Sequence, residues 1–304
     1  MRVFLTGATG LIGSAVIPQL RNAGHQVLGL VRSEAGANYL RSMGAQPHPG
    51  SLQDMDSIRA GVMAADAVIH CAFDHDFSRF RENAELDARV IAVFGELLAG
   101  TDRALIVSTG LPVDARTTPI TEVTLAPSIP STPRVSEQTA LSLREHGVHV
   151  NVIRLPQVHS TVRQGLVTFL IDIAKRLKVS AYVDEGQNRW SACHVDDVAR
   201  VYVRALETHR DGAIYHAIGE QGIALRTIAQ TIGQGLNVPV VSIPAAQADA
   251  HFGFLGKLVQ RDLCATSVIT RQQLDWAPVG PGLIDDIESH LRGQTPPTRP
   301  TNAA

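Results

Sequence analysis

The sequence predicts an α/β fold, a doubly wound parallel sheet with a smaller C-terminal lobe. Three observations carry that expectation. Val3, Phe4 and Leu5 form an apolar run that ends in three glycines, Gly7, Gly10 and Gly13, after which apolar residues recur at helical spacing (Leu11, Ile12, Ala15, Val16, Leu20). Residues 66–72 (DAVIHCA) are a second apolar run, of the kind a parallel strand buried on both faces requires. Strand-like and helix-like segments alternate between and beyond these two runs, as strand–helix–strand units do.

Composition narrows the function classes. A chain of 304 residues suits one large domain, or a main domain with a smaller lobe. Apolar residues make up 44% and charged residues 18%, enough to bury a sizeable core. The net charge is −2 with no basic run, which argues against nucleic acid or a membrane surface as partner and for a small-molecule substrate. No apolar stretch approaches the ~20 residues of a membrane-spanning helix. The N-terminus opens on a strand without a leader pattern, so a cytoplasmic location is expected. Cys71, Cys193 and Cys264 are too scattered for a disulfide framework or a metal motif, and no metal is expected.

In the first unit, strand, glycine turn and helix follow one another directly. Such a turn lets backbone approach a pyrophosphate, and the helix N-terminus then offers unpaired N–H groups and a positive dipole end. The candidate phosphate-binding residues are Gly7, Thr9, Gly10, Leu11, Ile12 and Gly13. The spacing is G-x-x-G-x-x-G, with Thr6 and Thr9 inside it. T-G-A-T-G-x-I-G resembles the opening of the short-chain dehydrogenase/reductase superfamily, in its extended and atypical branches related to the nucleotide-sugar epimerases. The resemblance implies a Rossmann fold that binds NAD(H) or NADP(H).

The second strand is expected at Gln26 to Val31, with Gly24 closing the helix before it. The residue just past this strand selects the cofactor: an acid there would bond the ribose 2′-OH, whereas an Arg holds a 2′-phosphate. The chain has Arg32-Ser33 and no acid before Glu34, which favours NADP(H) over NAD(H), the alternative being a solvated charge at a strand end. A helix is expected from about Ala35 to Met43 and a strand near Ala45 to His48. Gly50-Ser51-Leu52-Gln53-Asp54 resembles the superfamily's adenine-capping G-D-L-x-D, with Ser51 in place of the Asp and Leu52 positioned to pack on the ring.

Ala72, at the end of the fourth strand, resembles the small residue beside the cofactor's phosphates. Phe73-Asp74-His75-Asp76-Phe77 follows at the strand's C-terminal edge, where open α/β sheets bind ligands. Asp74, His75 and Asp76 are consecutive and cannot converge on one ion, which leaves a substrate-side or capping role, or an exposed loop. Phe80 to Leu98 has helical periodicity and matches the superfamily helix that often forms a homodimer interface, the alternative being packing on the sheet. A fifth strand, Arg103 to Ser108, delivers Ser108 and Thr109 to the cofactor edge.

The sequence then departs from the family it resembles. Those enzymes move a proton with a Tyr whose pKa is lowered by a Lys, in Y-x-x-x-K, while a Ser or Thr orients the substrate oxygen. Here the helix after a loop containing Pro127, Pro130 and Pro133 begins Arg134-Val135-Ser136-Glu137-Gln138 and has no Tyr. In one register Arg134 takes the Tyr place and Gln138 the Lys place; in another Glu137 takes the Lys place. The candidate catalytic residues are therefore Thr109, Arg134 and His159, with Ser108 beside the cofactor and His75, His194 and Tyr182 as further candidate acids. His159 comes from Leu155-Pro156-Gln157-Val158-His159, which resembles L-R-P-x-x-V-Y-G. In that motif Pro156 and Val158 line the nicotinamide, and His159 replaces a Tyr.

Trp190 to Ala199 resembles the superfamily's W-x-x-x-H-V-x-D-V-A element, in which a strand leads into a helix that returns to the nucleotide domain; Asp196 and Asp197 are read as acids at that helix's N-terminus. The expected organisation is a Rossmann domain over 1–160 with a returning segment near 195–207, a substrate lobe over 161–292 and a disordered tail over 293–304. The function expected is an NADP(H)-dependent oxidoreductase acting on a small or medium carbonyl, alkene or imine. The alternatives are a cofactor-binding regulator without chemistry and, behind it, an enzyme like the sugar-nucleotide epimerases and dehydratases.

Overall fold

A computed structural model describes residues 1–113, 117–125, 133–208 and 210–293. Pro127, Pro130 and the expected tail beyond Gly293 lie outside the described residues. In chain order the elements are β1 (Arg2–Thr6), α1 (Leu11–Asn22), β2 (Gln26–Val31), α2 (Glu34–Ser42), β3 (Gln46–Pro49), α3 (Met55–Met63), β4 (Ala67–His70), α4 (Phe80–Leu98), β5 (Ala104–Gly110), α5 (Ser136–Ser142) and β6 (His149–Leu155). There follow β7 (Gln157–His159), α6 (Val167–Leu177), β8 (Ser180–Val183), β9 (Arg189–His194), α7 (Val195–Glu207), β10 (Ile214–His216), β11 (Glu220–Ala224), α8 (Leu225–Leu236), β12 (Val240–Ile243), α9 (Ala248–Phe252), α10 (Val268–Leu274) and α11 (Leu283–Leu291).

Seven parallel strands form the main sheet in the order β10-β6-β5-β4-β1-β2-β3, a doubly wound Rossmann sheet with one strand added at its edge. Alternation along each strand feeds two cores. Val3, Leu5, Ile69 and Ile106 face one side, where Val16, Ile17, Leu20, Leu40, Val198 and Tyr202 cover them. Phe4, Val68, Leu105 and Val107 face the other, under Ile58, Val62, Val90 and Phe94. The strand order reverses between β1 and β4, which places the glycine turn at the crevice where such sheets bind ligands.

The smaller lobe holds the sheet β11-β9-β7 and the parallel pair β12-β8, packed with α6, α8 and α11 around Trp190, Ile171, Ile228 and Ile287. Two segments after residue 161 return to the nucleotide side in addition to α7. β10 pairs with β6 in the main sheet, and Leu274 and Trp276 pack in the core beneath α1 and α7. Asp197 holds that second return. Its buried carboxylate accepts the Val279 and Gly280 amides at 3.1 and 2.9 Å and the Arg200 guanidinium, and its carbonyl accepts from Trp276 Nε1 at 3.1 Å. Asp196 and Asp197 stand in the first turn of α7 as expected; Asp197 also serves this tertiary contact, and the α7 cap is His194, whose Nδ1 accepts the Asp196 amide at 3.3 Å.

On α4, Ala84, Leu86, Val90, Ile91, Phe94 and Leu98 are all buried within the chain, while Arg81, Glu85, Arg89 and Glu96 point outward. The apolar positions of α4 serve the internal packing. No helix among the described residues is long and apolar enough to cross a membrane.

A buried charge pair ties β6, α5 and β10 together. Arg154, with no exposed surface, makes two bonds to Glu137 (2.8 and 2.5 Å) and directs Nη1 at His216 Nε2, 3.3 Å away. His216 Nδ1 lies 2.8 Å from the Thr266 carbonyl and must donate to it, so Nε2 accepts from Arg154 and the ring is neutral. Burial, and then the Arg154 charge, lower its pKa from 6.5 to about 4. The unfolded chain therefore binds a proton that the native state refuses. Stability is fully present above 6.5 and falls as pH drops through that value toward 4, by up to ~3 kcal/mol. We expect urea midpoints of the wild type to fall across this interval and those of His216→Gln to fall much less; an equal slope in both would remove His216 from the account.

Candidate active site at the switch point

The turn after β1 is built so that nothing intrudes. Gly7 has φ of 68°, and a Cβ on it would lie 2.7 Å from Ala72 N. A Cβ on Gly13 would lie 2.2 Å from Gly7 O. The first turn of α1 is thereby pressed against the end of β1. Gly10 is the N-cap, with no side-chain cap and no acid in the first turn. The amides of Leu11 and Ile12 have no acceptor among the described residues. An uncapped helix start facing a crevice, with room for backbone alone, fits a dinucleotide's pyrophosphate.

Around this turn the expected cofactor residues divide. Arg32 is exposed just past β2 and has no ion-pair or hydrogen-bond partner among the described residues. Ser33 instead caps α2, its Oγ accepting the Gly36 amide at 3.2 Å, and retains its own proton to donate. Ser51 is half-buried beside Gly50, and Leu52 rests partly on the core under β2. Ala72 is half-buried, with its amide donating to Thr6 Oγ1 at 3.3 Å.

Three of the expected site residues are enclosed by the protein itself. Ser108 lies inside the sheet: its single hydroxyl proton goes to the His70 carbonyl at 2.7 Å, so the Tyr202 hydroxyl must donate to Ser108 Oγ, also at 2.7 Å. Val158 is a core residue, 6% exposed, while Pro156 is half-buried just after β6. His159 has no exposed surface; its Nδ1 sits 2.6 Å from Asp286 on α11 and its Nε2 finds no hydrogen bond among the described residues. It anchors α11 to β7.

Thr109, buried near the end of β5, follows Ser108, whose carbonyl accepts from Arg134. Thr109 points to the opposite face from Ser108, and its hydroxyl has no partner among the described residues. Arg134 is half-buried, donating from Nε to Ser136 Oγ at 2.8 Å and from Nη2 to the Ser108 carbonyl at 3.0 Å, with its guanidinium 4.0 Å from the Phe73 ring centroid. Desolvation lowers its pKa and Asp87 opposes that shift.

Beneath Arg134 runs a buried polar chain that the sequence did not announce. Asp87 on α4 accepts from Ser136 Oγ at 2.5 Å and from His70 Nε2 at 3.1 Å, which leaves His70 Nδ1 to accept the Thr6 hydroxyl at 2.7 Å. Burial pushes the Asp87 pKa up, but the hydrogen bonds from His70 and Ser136 and the Arg134 charge together bring it below its ordinary value, so Asp87 is a carboxylate. The available signal was Asp87 itself, an acid between Leu86 and Val90 on the apolar stripe of α4.

Of the other candidate acids, Tyr182 lies on β8 under Arg226, and His194 caps α7. His75 alone stays beside Arg134. It retains exposed surface, and crowding by its neighbours followed by the charges of Arg134 and Arg163 lowers its pKa, so it stands neutral at pH 7 and suited to accept a proton. Asp74 accepts the Asp76 amide and Asp76 caps the short turn at Ser78, so the three consecutive polar residues serve separate ends.

Comparison with known proteins agrees with this geometry. An uncharacterized protein of Schizosaccharomyces pombe is 43% identical across 95% of this chain and 99% of its own length. A 4-hydroxy-2-methyl-3-oxo-4-farnesyl-3,4-dihydroquinoline-1-oxide ketoreductase of Stigmatella aurantiaca is 30% identical over 83% of this chain and 80% of its own. UDP-glucose 4-epimerase of Thermotoga maritima, 18% identical, superposes with a TM-score of 0.75 over 96% of this chain and 98% of the other, which bears on the fold alone. Residues 3–218 match a family as a whole, and on the strength of that match the chain belongs to the NAD dependent epimerase/dehydratase family.

Proposed function

We propose that the protein is an NADP(H)-dependent oxidoreductase that transfers hydride to or from a small or medium carbonyl, alkene or imine. The observation that carries this reading is the glycine turn itself. It has room for backbone alone, the Leu11 and Ile12 amides and the exposed Arg32 have no partner among the described residues, and Thr109 and Arg134 lie near the C-terminal end of β5. In this reading the Leu11 and Ile12 amides bind the pyrophosphate, Ala72 and Pro156 border the crevice, and Ser51 with Leu52 receives the adenine. Arg32, joined by the Ser33 hydroxyl, pairs with a 2′-phosphate. The cofactor, when bound, supplies or accepts the hydride.

The chain's own part is to hold the substrate oxygen and move one proton. Thr109 donates a hydrogen bond to that oxygen, and Arg134 adds positive potential without serving as an acid, since a guanidinium does not release its proton near neutral pH. His75 takes or returns the proton, directly or through water. Its lowered pKa favours the direction that removes a proton from an alcohol, and carbonyl reduction gains from more acid conditions.

A second reading, a cofactor-binding regulator, rests on one observation: α5 has no Tyr, and Glu137, at one of the possible Lys positions, is consumed by Arg154. Tight NADPH binding without oxidation of any aldehyde, ketone or imine in a broad panel would favour it and end the oxidoreductase reading.

Two measurements follow. Arg32→Asp should weaken NADPH binding by about tenfold to a hundredfold, the worth of a charge-assisted phosphate contact, and leave NADH binding within about twofold; a preference for NADPH that survives the change contradicts the assignment. Thr109→Val should lower the turnover of whichever carbonyl is accepted by about a hundredfold with cofactor affinity unchanged, and full activity in that variant would displace Thr109 from the mechanism.

A further inference from the structure

The loop after β4 concentrates aromatic rings in a chain where aromatics are 5% of residues. Phe73 lies against the Arg134 guanidinium and meets Phe80 at 5.9 Å. Phe77 meets Phe80 at 5.7 Å and stacks on Phe254 of the smaller lobe, centroids 4.3 Å apart and planes within 13°. Phe169 on α6 packs edge-on against Phe77 and Phe254 at 6.2 and 5.2 Å. Ring contacts thus run without a break from Arg134 to the opposite lobe. Phe254 remains 48% exposed, so this is a cover between lobes rather than a piece of either core.

Under that cover Arg134 is under-used. A guanidinium carries five N–H donors, and two of its bonds are accounted for, to Ser136 and to the Ser108 carbonyl. No carboxylate is in ion-pair contact with it among the described residues; Asp87 is held by His70 and Ser136. Arg163, exposed near the same loop, likewise has no ion-pair partner among the described residues, and Asp74 is already bonded to the Asp76 amide. A half-buried, ring-stacked guanidinium with spare donors is a receptor for a planar or tetrahedral oxyanion.

We propose that the substrate carries an anionic group, a carboxylate or a phosphate, that pairs with Arg134 while its apolar body lies against Phe73, Phe77 and Phe254. The proposal rests on the oxidoreductase reading for its place beside the cofactor, but its test reads binding. Full-length protein saturated with NADP+ is titrated calorimetrically with 4-formylbenzoate, its methyl ester and phenyl phosphate. The wild type should bind at least one of the two anions about tenfold or more tighter than the neutral ester, and whichever anion is preferred identifies the group. Arg134→Met should abolish the preference, Arg134→Lys should keep part of it, and Phe254→Ala should weaken acid and ester alike by about fivefold to tenfold. Equal binding of acid and ester by the wild type overturns the proposal, as does failure of both anions to bind. A preference undiminished in Arg134→Met does the same. Should Arg134→Met not fold, the wild-type comparison and the Phe254→Ala variant decide. Binding of the anion without NADPH oxidation by 4-formylbenzoate would count against that aldehyde's turnover and leave the anion site standing.

Discussion

The structure depends on a close approach. β1 and β4 lie side by side at the point where the strand order reverses, and the chain leaving β1 must turn within backbone distance of Cys71 and Ala72. A methyl group on Gly7 or Gly13 would overlap main-chain atoms that cannot step aside. The same contact that seats α1 on the sheet therefore leaves its first amides bare and aims its dipole into the crevice. Packing and anion binding are joined here, because the glycines that let α1 seat on the end of β1 also keep side chains out of the space before its first amides.

A second layer of order lies under the edge of the sheet. Thr6, His70, Asp87, Ser136 and Arg134 form a directed series of hydrogen bonds between β1, β4, α4 and α5, and each side chain's donors and acceptors are settled by its neighbour. Removing one member of such a buried series strands a charge or a donor, at a cost of about 3–5 kcal/mol where an ion is left behind. Family enzymes with Tyr and Lys place their chemistry on this helix. In this chain the helix start is occupied by Arg134, Ser136 and Glu137, which are tied to Ser108, Asp87 and Arg154, and His75 is exposed beside the half-buried Arg134, with Thr109 buried at the end of β5.

Legibility from sequence followed the range of the forces involved. The glycine turn, β2, α4, β6 and α7 could be read because their signals are local: periodicity, glycine, and a strand's apolar run. The doubly wound parallel sheet followed from the resemblance; the order of its strands came only with the structure. Residues whose fate depends on a distant partner could not be read. Ser108 was a hydroxyl at a strand end until Tyr202, from a helix far along the chain, took its acceptor; His159 was a substrate-side ring until Asp286 of α11 enclosed it. Asp197 resembled a helix-end acid by position, and only the return of residues 276–280 gave it another partner. The aromatic bridge to Phe254 joins segments from both lobes, and no window of sequence holds both of its ends.

The account stands or falls on where the dinucleotide sits. A crystal structure of the protein with NADP+ is the direct measurement. It should place the pyrophosphate against the Leu11 and Ile12 amides, the 2′-phosphate within hydrogen-bond reach of Arg32, and the nicotinamide between Pro156 and Thr109 with Arg134 beyond it. A dinucleotide bound away from the Gly7–Gly13 turn, or one whose 2′-phosphate ignores Arg32, would contradict it.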